Sequence, residues 1–211
     1  MKLDFRKIKR HIRFYFNHLK EKAKGLDFTM MQLNDTHFPR NKQSDYYGYF
    51  MTDEATIQGA LKLIPGDLKE RAFIDIGCGK GMCLKAACAV GFGKVAGLEL
   101  EPSIAAIGKK NMEILKLPAT VIEGNAITFE HYDEYDVFYF YNPFSRKIFE
   151  QVIAAIDESQ IKRPRTIHVA YLSPVSRDLF DQDGYTQINQ YHDNARGSEL
   201  IIFEKKAPET A

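Results

Sequence analysis

The stretch FIDIGCGKG, at residues 73–81, joins an apolar run to a turn that contains Gly77, Gly79 and Gly81. The acid Asp75 lies two residues before the first of these glycines. Glycine at such a turn permits positive φ and lets a ligand approach the backbone closely. The stretch therefore predicts a strand that turns into a helix. The turn would bind a pyrophosphate, bind a different nucleoside cofactor, or simply connect the two elements.

The sequence around this turn alternates between strand-like and helix-like segments. Apolar runs predict strands at 72–76, 94–98, 119–122, 135–141 and 166–172, with helices between them at 81–90, 102–115, 145–159 and 174–180. Such alternation predicts an α/β fold with a mostly parallel sheet covered on both faces. Two last strand-like runs, 185–192 and 199–206, are separated only by DNARGS, which favours an antiparallel pair.

Composition narrows the class of protein without naming an activity. The 211 residues carry a net charge of +1, which gives no global bias toward nucleic acid. The three cysteines, Cys78, Cys83 and Cys88, predict neither a disulfide framework nor a metal site, and Cys83 and Cys88 are expected to pack as small hydrophobes. No apolar run reaches the roughly 18 residues of a membrane span, and no signal-peptide core is present. We therefore expect a cytoplasmic protein in a reducing compartment.

Residues 1–45 are expected to form a basic amphipathic helix and a linker, ahead of a domain at 46–211. Within residues 2–24, nine basic residues against two acids give a charge of +7. An apolar stripe recurs at helical spacing and comprises Phe5, Ile8, Ile12, Tyr15, Phe16 and Leu19. The pattern favours an accessory helix whose stripe docks on the domain, while a phosphate-contacting or membrane-surface role stays open. Thr52 is the expected N-cap of the next helix.

The spacing of the glycine turn argues against a dinucleotide. The dinucleotide fingerprint GxGxxG would need a glycine at position 82, which is Met82. The observed pattern is GxGxG, with Asp75 just before it. Because a carboxylate repels a pyrophosphate and attracts an amino group, the pattern favours a ligand that is cationic at this point.

Two later strand ends supply further candidate ligands for a nucleoside. The second strand ends in Glu99, 18 residues after Gly81, where a carboxylate can accept hydrogen bonds from both hydroxyls of a ribose. The third strand leads into EGNA, where Asn125 is placed to reach an adenine edge.

The motifs DIGCGKG, GLELEP and EGNA, in this order, resemble those of class I S-adenosylmethionine-dependent methyltransferases over residues 46–204. The resemblance implies a Rossmann-like, doubly wound, seven-stranded sheet with a reversed last strand. It also implies that Asp75 and the glycine turn hold the methionine end of S-adenosyl-L-methionine, Glu99 its ribose and Asn125 its adenine. The full cofactor-binding set that it implies is Asp75, Gly77, Cys78, Gly79, Gly81, Glu99, Leu100, Asn125, Ala126 and Asn142.

The fourth strand ends in YNPF, and this motif predicts the place of chemistry. Asn142, Pro143 and Phe144 are similar to the (D/N/S)PP(Y/F) motif of amino-methyltransferases, in which a side chain and a backbone carbonyl hold a target nitrogen and an aromatic ring flanks it. The second proline is missing, which weakens the case for a nucleic-acid base as target. A plain strand stop is the alternative. Tyr171, near the end of the fifth strand, is a further candidate for the acceptor pocket.

YYGYFMTDEAT, YNPF and HVAYLSP together resemble a group of small bacterial methyltransferases. Tyr46, Tyr47 and Tyr49 would form a lid over the cofactor or pack the linker onto the domain. His168 is expected to make a buried hydrogen bond, with no catalytic role.

The expected function is methyl transfer to a nitrogen of a protein side chain or a small amine. RNA methylation that uses the basic N-terminal helix, an NAD-linked oxidoreductase and a non-catalytic cofactor-binding module stay as alternatives. An anionic partner of the basic helix is also expected.

Overall fold

The computed structural model describes residues 16, 18–29, 53–182, 184–194 and 197–208. Seven strands form one sheet: β1 (Ala72–Ile76), β2 (Lys94–Glu99), β3 (Ala119–Glu123), β4 (Val137–Phe140), β5 (Ile167–Leu172), β6 (Thr186–Asp193) and β7 (Ser198–Lys205). Their order across the sheet is β3-β2-β1-β4-β5-β7-β6. The pairs from β3 to β5 are parallel, and β7 runs antiparallel to both of its neighbours. The predicted seven-stranded sheet with a reversed last strand is confirmed.

Helices connect the strands and cover both faces of the sheet. They are α1 (18–23), α2 (Glu54–Leu61), α3 (Met82–Val90), α4 (Pro102–Leu115), α5 (Arg146–Lys162) and α6 (Asp178–Gln182), with 3₁₀ turns at Leu68–Glu70 and Tyr132–Glu134. None of the described helices is long and apolar enough to cross a bilayer.

The alternating side chains of the central strands build two separate cores. Ile74, on β1, joins a cluster that contains Phe140 and residues of α5, whereas its neighbour Phe73 joins the cluster that contains residues of α2 and α3. Because successive residues of a strand point to opposite faces, each central strand contributes to both clusters. This arrangement explains why β4 and β5 are buried at every position.

The chain order reverses between β1 and β4, which are neighbours in the sheet. In open α/β sheets such a reversal leaves a crevice at the carboxyl ends of the strands, and ligands bind there. The glycine turn follows β1 and the YNPF motif follows β4, so both lie at this crevice.

Several element boundaries differ from those expected. The N-cap of the α2 helix is Asp53, whose carboxylate accepts a hydrogen bond from the amide of Ala55 at 3.1 Å. The prediction that Thr52 caps this helix is therefore wrong. The α6 helix begins at Asp178 and not at 174, because residues 175–177 form turns first. The α5 helix continues to Lys162, just ahead of Pro164.

The N-terminal segment docks by residues other than the expected ones. The side chains of Phe16 and Leu19 are 57% and 62% exposed. The prediction that the apolar stripe docks on the domain is therefore wrong for these two residues. The other members of the stripe, and Tyr46, Tyr47 and Tyr49, lie outside the described residues. Contact with the domain is made after α1, where Phe28 is buried against α2 and α3.

Candidate cofactor and acceptor site

The glycine turn has a backbone conformation that only glycine adopts readily. Gly77, Gly79 and Gly81 have φ of 84°, 55° and 88°. The amides of Gly77 and Cys78 both donate to the carbonyl of Leu98, at 2.8 and 3.1 Å, which ties the turn to β2. The sequence prediction of a strand-to-helix turn at this place is confirmed, because α3 begins directly after Gly81.

The glycine turn and the YNPF motif are in direct contact. A Cβ added to Gly77 would lie 2.7 Å from Cβ of Pro143, closer than real Cβ atoms approach. The missing side chain at Gly77 therefore lets the turn after β4 pack against the turn after β1. The structure brings together these two motifs, which are separated by more than 60 residues of sequence.

Asp75 is a buried acid directly beneath the turn. Burial, and after it the nearby carboxylate of Glu99, raises the pKa of Asp75 to about 8, while a hydrogen bond from the thiol of Cys83 acts in the opposite direction. At neutral pH, and with no cation beside it, the carboxyl group of Asp75 is therefore mostly protonated. A positively charged partner at this point would favour its ionised form.

Cys83 was expected only to pack as a small hydrophobic residue, and no local pattern indicates its bond to Asp75. Cys83 is the second residue of α3, and its thiol hydrogen-bonds to Asp75 on β1. Cys83 is buried and Cys88 packs against the same core, so the expectation that both pack as small hydrophobes is confirmed.

Glu99 links the end of β2 to the glycine turn. Its Oε2 accepts a hydrogen bond from the amide of Gly79 at 2.8 Å, and its Oε1 accepts one from the amide of Glu101 at 2.9 Å. Burial raises the pKa of Glu99, and these backbone donors, with that of Leu100, oppose the shift. A carboxylate oxygen accepts more than one hydrogen bond, so both oxygens keep capacity for a ligand.

Asn125 lies just beyond β3, and its side chain shapes its own turn. Its Oδ1 accepts a hydrogen bond from the amide of Ile127 at 2.9 Å, while the neighbouring amide of Gly124 donates to the carbonyl of Glu99 at 2.9 Å. The next residue, Ala126, is buried. The ends of β2 and β3 are thus joined, which brings Asn125 to the same edge of the sheet as Glu99. Its contact with adenine stays a prediction.

The ends of β4 and β5 are joined by the side chain of Asn142. Its Nδ2 donates to the carbonyl of Ser173 at 2.8 Å, and its Oδ1 accepts from the hydroxyl of Tyr171 at 2.7 Å. Asn142 and Ser173 both have left-handed backbones, with φ of 43° and 50°. Non-glycine residues in this conformation cluster at functional sites, because the surrounding structure must hold them there.

The aromatic candidates are more deeply placed than the sequence suggested. Tyr171 is fully buried, and its hydroxyl also accepts a hydrogen bond from the amide of Ser176 at 3.3 Å. Phe144 is 6% exposed and packs edge-on against Phe149, with ring centroids 5.4 Å apart. Direct contacts of Phe144 and Tyr171 with an acceptor stay predictions.

His168 lies at the opposite end of β5 from Asn142. It is buried as expected, with Nε2 3.2 Å from Oε2 of Glu204. The geometry of that contact does not make a hydrogen bond, so the expected buried hydrogen bond is wrong. Burial lowers the pKa of the imidazole, which fits a structural histidine remote from the crevice.

Sequence inspection missed three residues around the turn, namely Asp27, Lys80 and Asn111. Nζ of Lys80 lies 2.9 Å from Oδ1 of Asp27, and Asn111 bonds to the backbone of both residues. A lysine between two glycines in a buried turn was the only available signal. Across the described residues, no cluster of histidine, cysteine and acidic side chains is suited to hold a metal ion.

No protein-family model matches the chain, and no curated protein matches its sequence significantly. Solved structures do match its fold, at low sequence identity. A putative methyltransferase from Escherichia coli superposes with a TM-score of 0.59 at 14% identity, over 74% of this chain and 89% of that one. A ribosomal protein L11 methylase from Lactobacillus delbrueckii subsp. bulgaricus gives 0.56 at 11% identity, over 76% and 81%.

A third structure contains a ligand related to the expected cofactor. It is an RNA methyltransferase from Salinibacter ruber in complex with S-adenosyl-L-homocysteine, which superposes with a TM-score of 0.53 at 15% identity, over 77% of this chain and 96% of that one. At such low identity the likeness concerns the fold alone. The chain has the Rossmann-like fold of these methyltransferases.

Proposed function

We propose that the chain is an S-adenosyl-L-methionine-dependent methyltransferase that acts on a nitrogen of a protein side chain or a small amine. The observation that carries this proposal is the arrangement at the carboxyl edge of a methyltransferase-like sheet. There Asp75 lies buried beneath the glycine turn, and the carboxylate of Glu99 lies 2.8 Å from the amide of Gly79.

The residues present fit this cofactor in charge and in shape. The buried carboxyl of Asp75 would pair with the ammonium of the methionine end, and a cation there would offset the cost of its ionisation. Glu99 would accept hydrogen bonds from the ribose hydroxyls, and Asn125 with Ala126 would contact the adenine. The glycines would let the cofactor approach the backbone, since no side chain projects from them.

The bound cofactor would supply an electrophilic sulfonium methyl group, which needs no covalent enzyme intermediate. The task of the protein is then to align a nucleophile, and alignment alone can contribute roughly 7–11 kcal/mol. Asn142 and the carbonyl of Pro143 would accept hydrogen bonds from the acceptor nitrogen and direct its lone pair. Asn142 is suited to this because Tyr171 and Ser173 fix its amide, while Oδ1 retains a second lone pair.

Pro143 brings the acceptor and cofactor positions together. Its Cβ packs against Gly77, so the turn that would hold the nitrogen lies against the turn that would hold the methionine end. Phe144 would flank the acceptor pocket through its edge, and Tyr171 would act through Asn142.

RNA methylation is the second candidate. Residues 2–24 carry a charge of +7, and within the described part of this segment Lys20, Lys22 and Lys24 are exposed. Exposed lysines favour contact with phosphates. A non-catalytic cofactor-binding module also remains an alternative. An NAD-linked oxidoreductase is disfavoured by Met82 in place of a third dinucleotide glycine and by Asp75.

Two measurements test the proposal. Calorimetric titration with S-adenosyl-L-homocysteine should show binding, and titration with NADH should show none. Labelled methyl groups from the cofactor should then be transferred into fractionated cell extract, with RNase and protease treatment of the product to separate RNA from protein acceptors. Binding of NADH alone would refute the proposal, and cofactor binding with no transfer to any fraction would favour the non-catalytic module.

A further inference from the structure

The glycine turn contains a lysine whose side chain is buried. Lys80 is 1% exposed, and its Nζ lies 2.9 Å from Oδ1 of Asp27. A buried ammonium needs a compensating charge, and Asp27 supplies one. Asp27 is 53 residues earlier in the chain and belongs to none of the elements of the sheet.

A second side chain ties the same two residues together through their backbones. Asn111, on α4, is 1% exposed; its Oδ1 accepts from the amide of Asp27, and its Nδ2 donates to the carbonyls of Asp27 and Lys80, each at 2.9 Å. The α4 helix comes close to the turn because Gly108 has no side chain, as a Cβ there would lie 3.0 Å from the carbonyl oxygen of Gly79.

Residues 26–29, which we call the strap, are anchored by the two residues that follow Asp27. Phe28 is 1% exposed within the core formed with α2 and α3. Thr29 is equally buried, and its amide and hydroxyl both donate to Oε2 of Glu21, at 3.0 and 2.9 Å. The strap therefore presents Asp27 to Lys80 from a fixed position.

The turn is thus held at successive residues. Glu99 accepts from the amide of Gly79, Asn111 donates to the carbonyl of Lys80, and Asp27 pairs with the side chain of Lys80. Glycine-rich backbone loses much conformational freedom when it is ordered. A turn that is already ordered in the free protein binds its ligand more tightly, because this entropy cost no longer reduces the free energy of binding.

We infer that Asp27 is a positioning residue of the cofactor site, and that docking of the strap and binding of the cofactor at the glycine turn strengthen each other. The inference rests on the proposed function, since it takes S-adenosyl-L-methionine as the ligand of the turn. By linkage, whatever the strap adds to the affinity for the cofactor, the cofactor adds to the stability of the docked strap.

The first experiment compares affinities for S-adenosyl-L-homocysteine by calorimetric titration. Asp27→Asn, which removes the charge but keeps the shape of the side chain, should raise Kd at least tenfold. Asp27→Glu, which keeps the charge, should have a Kd within about threefold of that of the parent. The control is Lys94→Met, which breaks the exposed pair of Lys94 with Glu134 at the opposite edge of the sheet and should leave Kd unchanged. Circular dichroism confirms that each variant is folded.

The second experiment observes the strap directly and does not depend on the stability of the Asp27 variants. The chain contains no tryptophan, so Leu26→Trp places a single fluorescent reporter in the strap. Titration with S-adenosyl-L-homocysteine should change its emission with the same Kd that calorimetry gives. Cofactor should also slow amide exchange in residues 26–29, a readout that a purely structural ion pair would not change.

The results can refute the inference without refuting the proposed function. If the parent protein binds the cofactor, and Asp27→Asn binds it equally well with no change in the emission of the reporter, the inference is overturned while the proposed function stands. If the parent protein binds no cofactor, the proposed function is overturned and the coupling with it.

Discussion

On the proposed pairing of Asp75 with the ammonium of the cofactor, the affinity for the cofactor should depend steeply on pH. Its pKa is raised to about 8 by burial and by Glu99, so in the free protein it is mostly protonated at pH 6 and half ionised at pH 8. An ammonium pairs with the ionised form only. The apparent affinity is therefore reduced by the ionised fraction, which is about 1% at pH 6 and about 50% at pH 8.

The expected result is a rise of about 50-fold in the affinity for S-adenosyl-L-homocysteine between pH 6 and pH 8. Calorimetry should also show release of close to one proton per cofactor bound near pH 6.5, measured from buffers of different ionisation enthalpy. Asp75→Asn should bind more weakly at pH 8 and lose the pH dependence. Adenosine, which lacks the ammonium, is the matched control ligand and should bind with little change.

The same group affects stability with a defined sign. The unfolded chain releases the Asp75 proton near its ordinary pKa of 3.8, whereas the folded chain keeps it up to about pH 8. Between these values the folded state binds more protons, so this group makes the free energy of unfolding fall as pH rises, by at most about 1.4 kcal/mol per pH unit. Asp75→Asn should flatten that decline in urea denaturation.

The outcome that would contradict the reasoning lies in the binding measurements. If the affinity of the parent protein for S-adenosyl-L-homocysteine is the same at pH 6 and pH 8, the assignment of Asp75 to the ammonium is refuted.

Three substitutions test the rest of the site. Glu99→Gln should weaken binding of S-adenosyl-L-homocysteine by about 1.5–3 kcal/mol in calorimetry, because a charge-assisted hydrogen bond is lost, and unchanged affinity would exclude the ribose role. Gly77→Ala should abolish binding and lower thermal stability, since its φ is 84° and its Cβ would lie 2.7 Å from Cβ of Pro143; normal binding would show that the turn is only a connection. Asn142→Ala should leave affinity nearly intact, because the ammonium and the ribose would still be held by Asp75 and Glu99. It should lower methyl transfer by about 10²-fold, measured with labelled cofactor once an acceptor is known, and full activity would refute the amine-holding role. Loss of its bond to Tyr171 should also cost about 1 kcal/mol of unfolding free energy.

The sheet could be predicted because its strands are marked by local sequence. Runs such as VFYF in β4 and IHVAYL in β5 are apolar at nearly every position, which is typical of strands covered on both faces. The glycine turn was equally visible, since glycines at alternate positions after a strand have few structural uses other than a tight turn.

The connections between distant residues could not be predicted. The contacts of Asp27 with Lys80 span 53 residues, and those of Tyr171 with Asn142 span 29. Such pairs depend on how the helices and strand ends meet in space, and single residues of common type carry no local trace of them. The depth of Phe144 was missed for the same reason, because a ring after a strand can face either the pocket or the core.

The position of β7 has a consequence for how the chain folds during synthesis. This strand is the last of the described elements to leave the ribosome, yet it lies between β5 and β6 and contributes fully buried side chains such as Ile202 and Phe203. Until residues 198–205 emerge, β5 presents an unpaired apolar edge, and β6 has no neighbouring strand with which to pair. Exposed edges of this kind invite pairing with other chains. Ribosome stalling or premature termination just before this strand should therefore yield an aggregation-prone nascent chain, although most of its sheet has already been made.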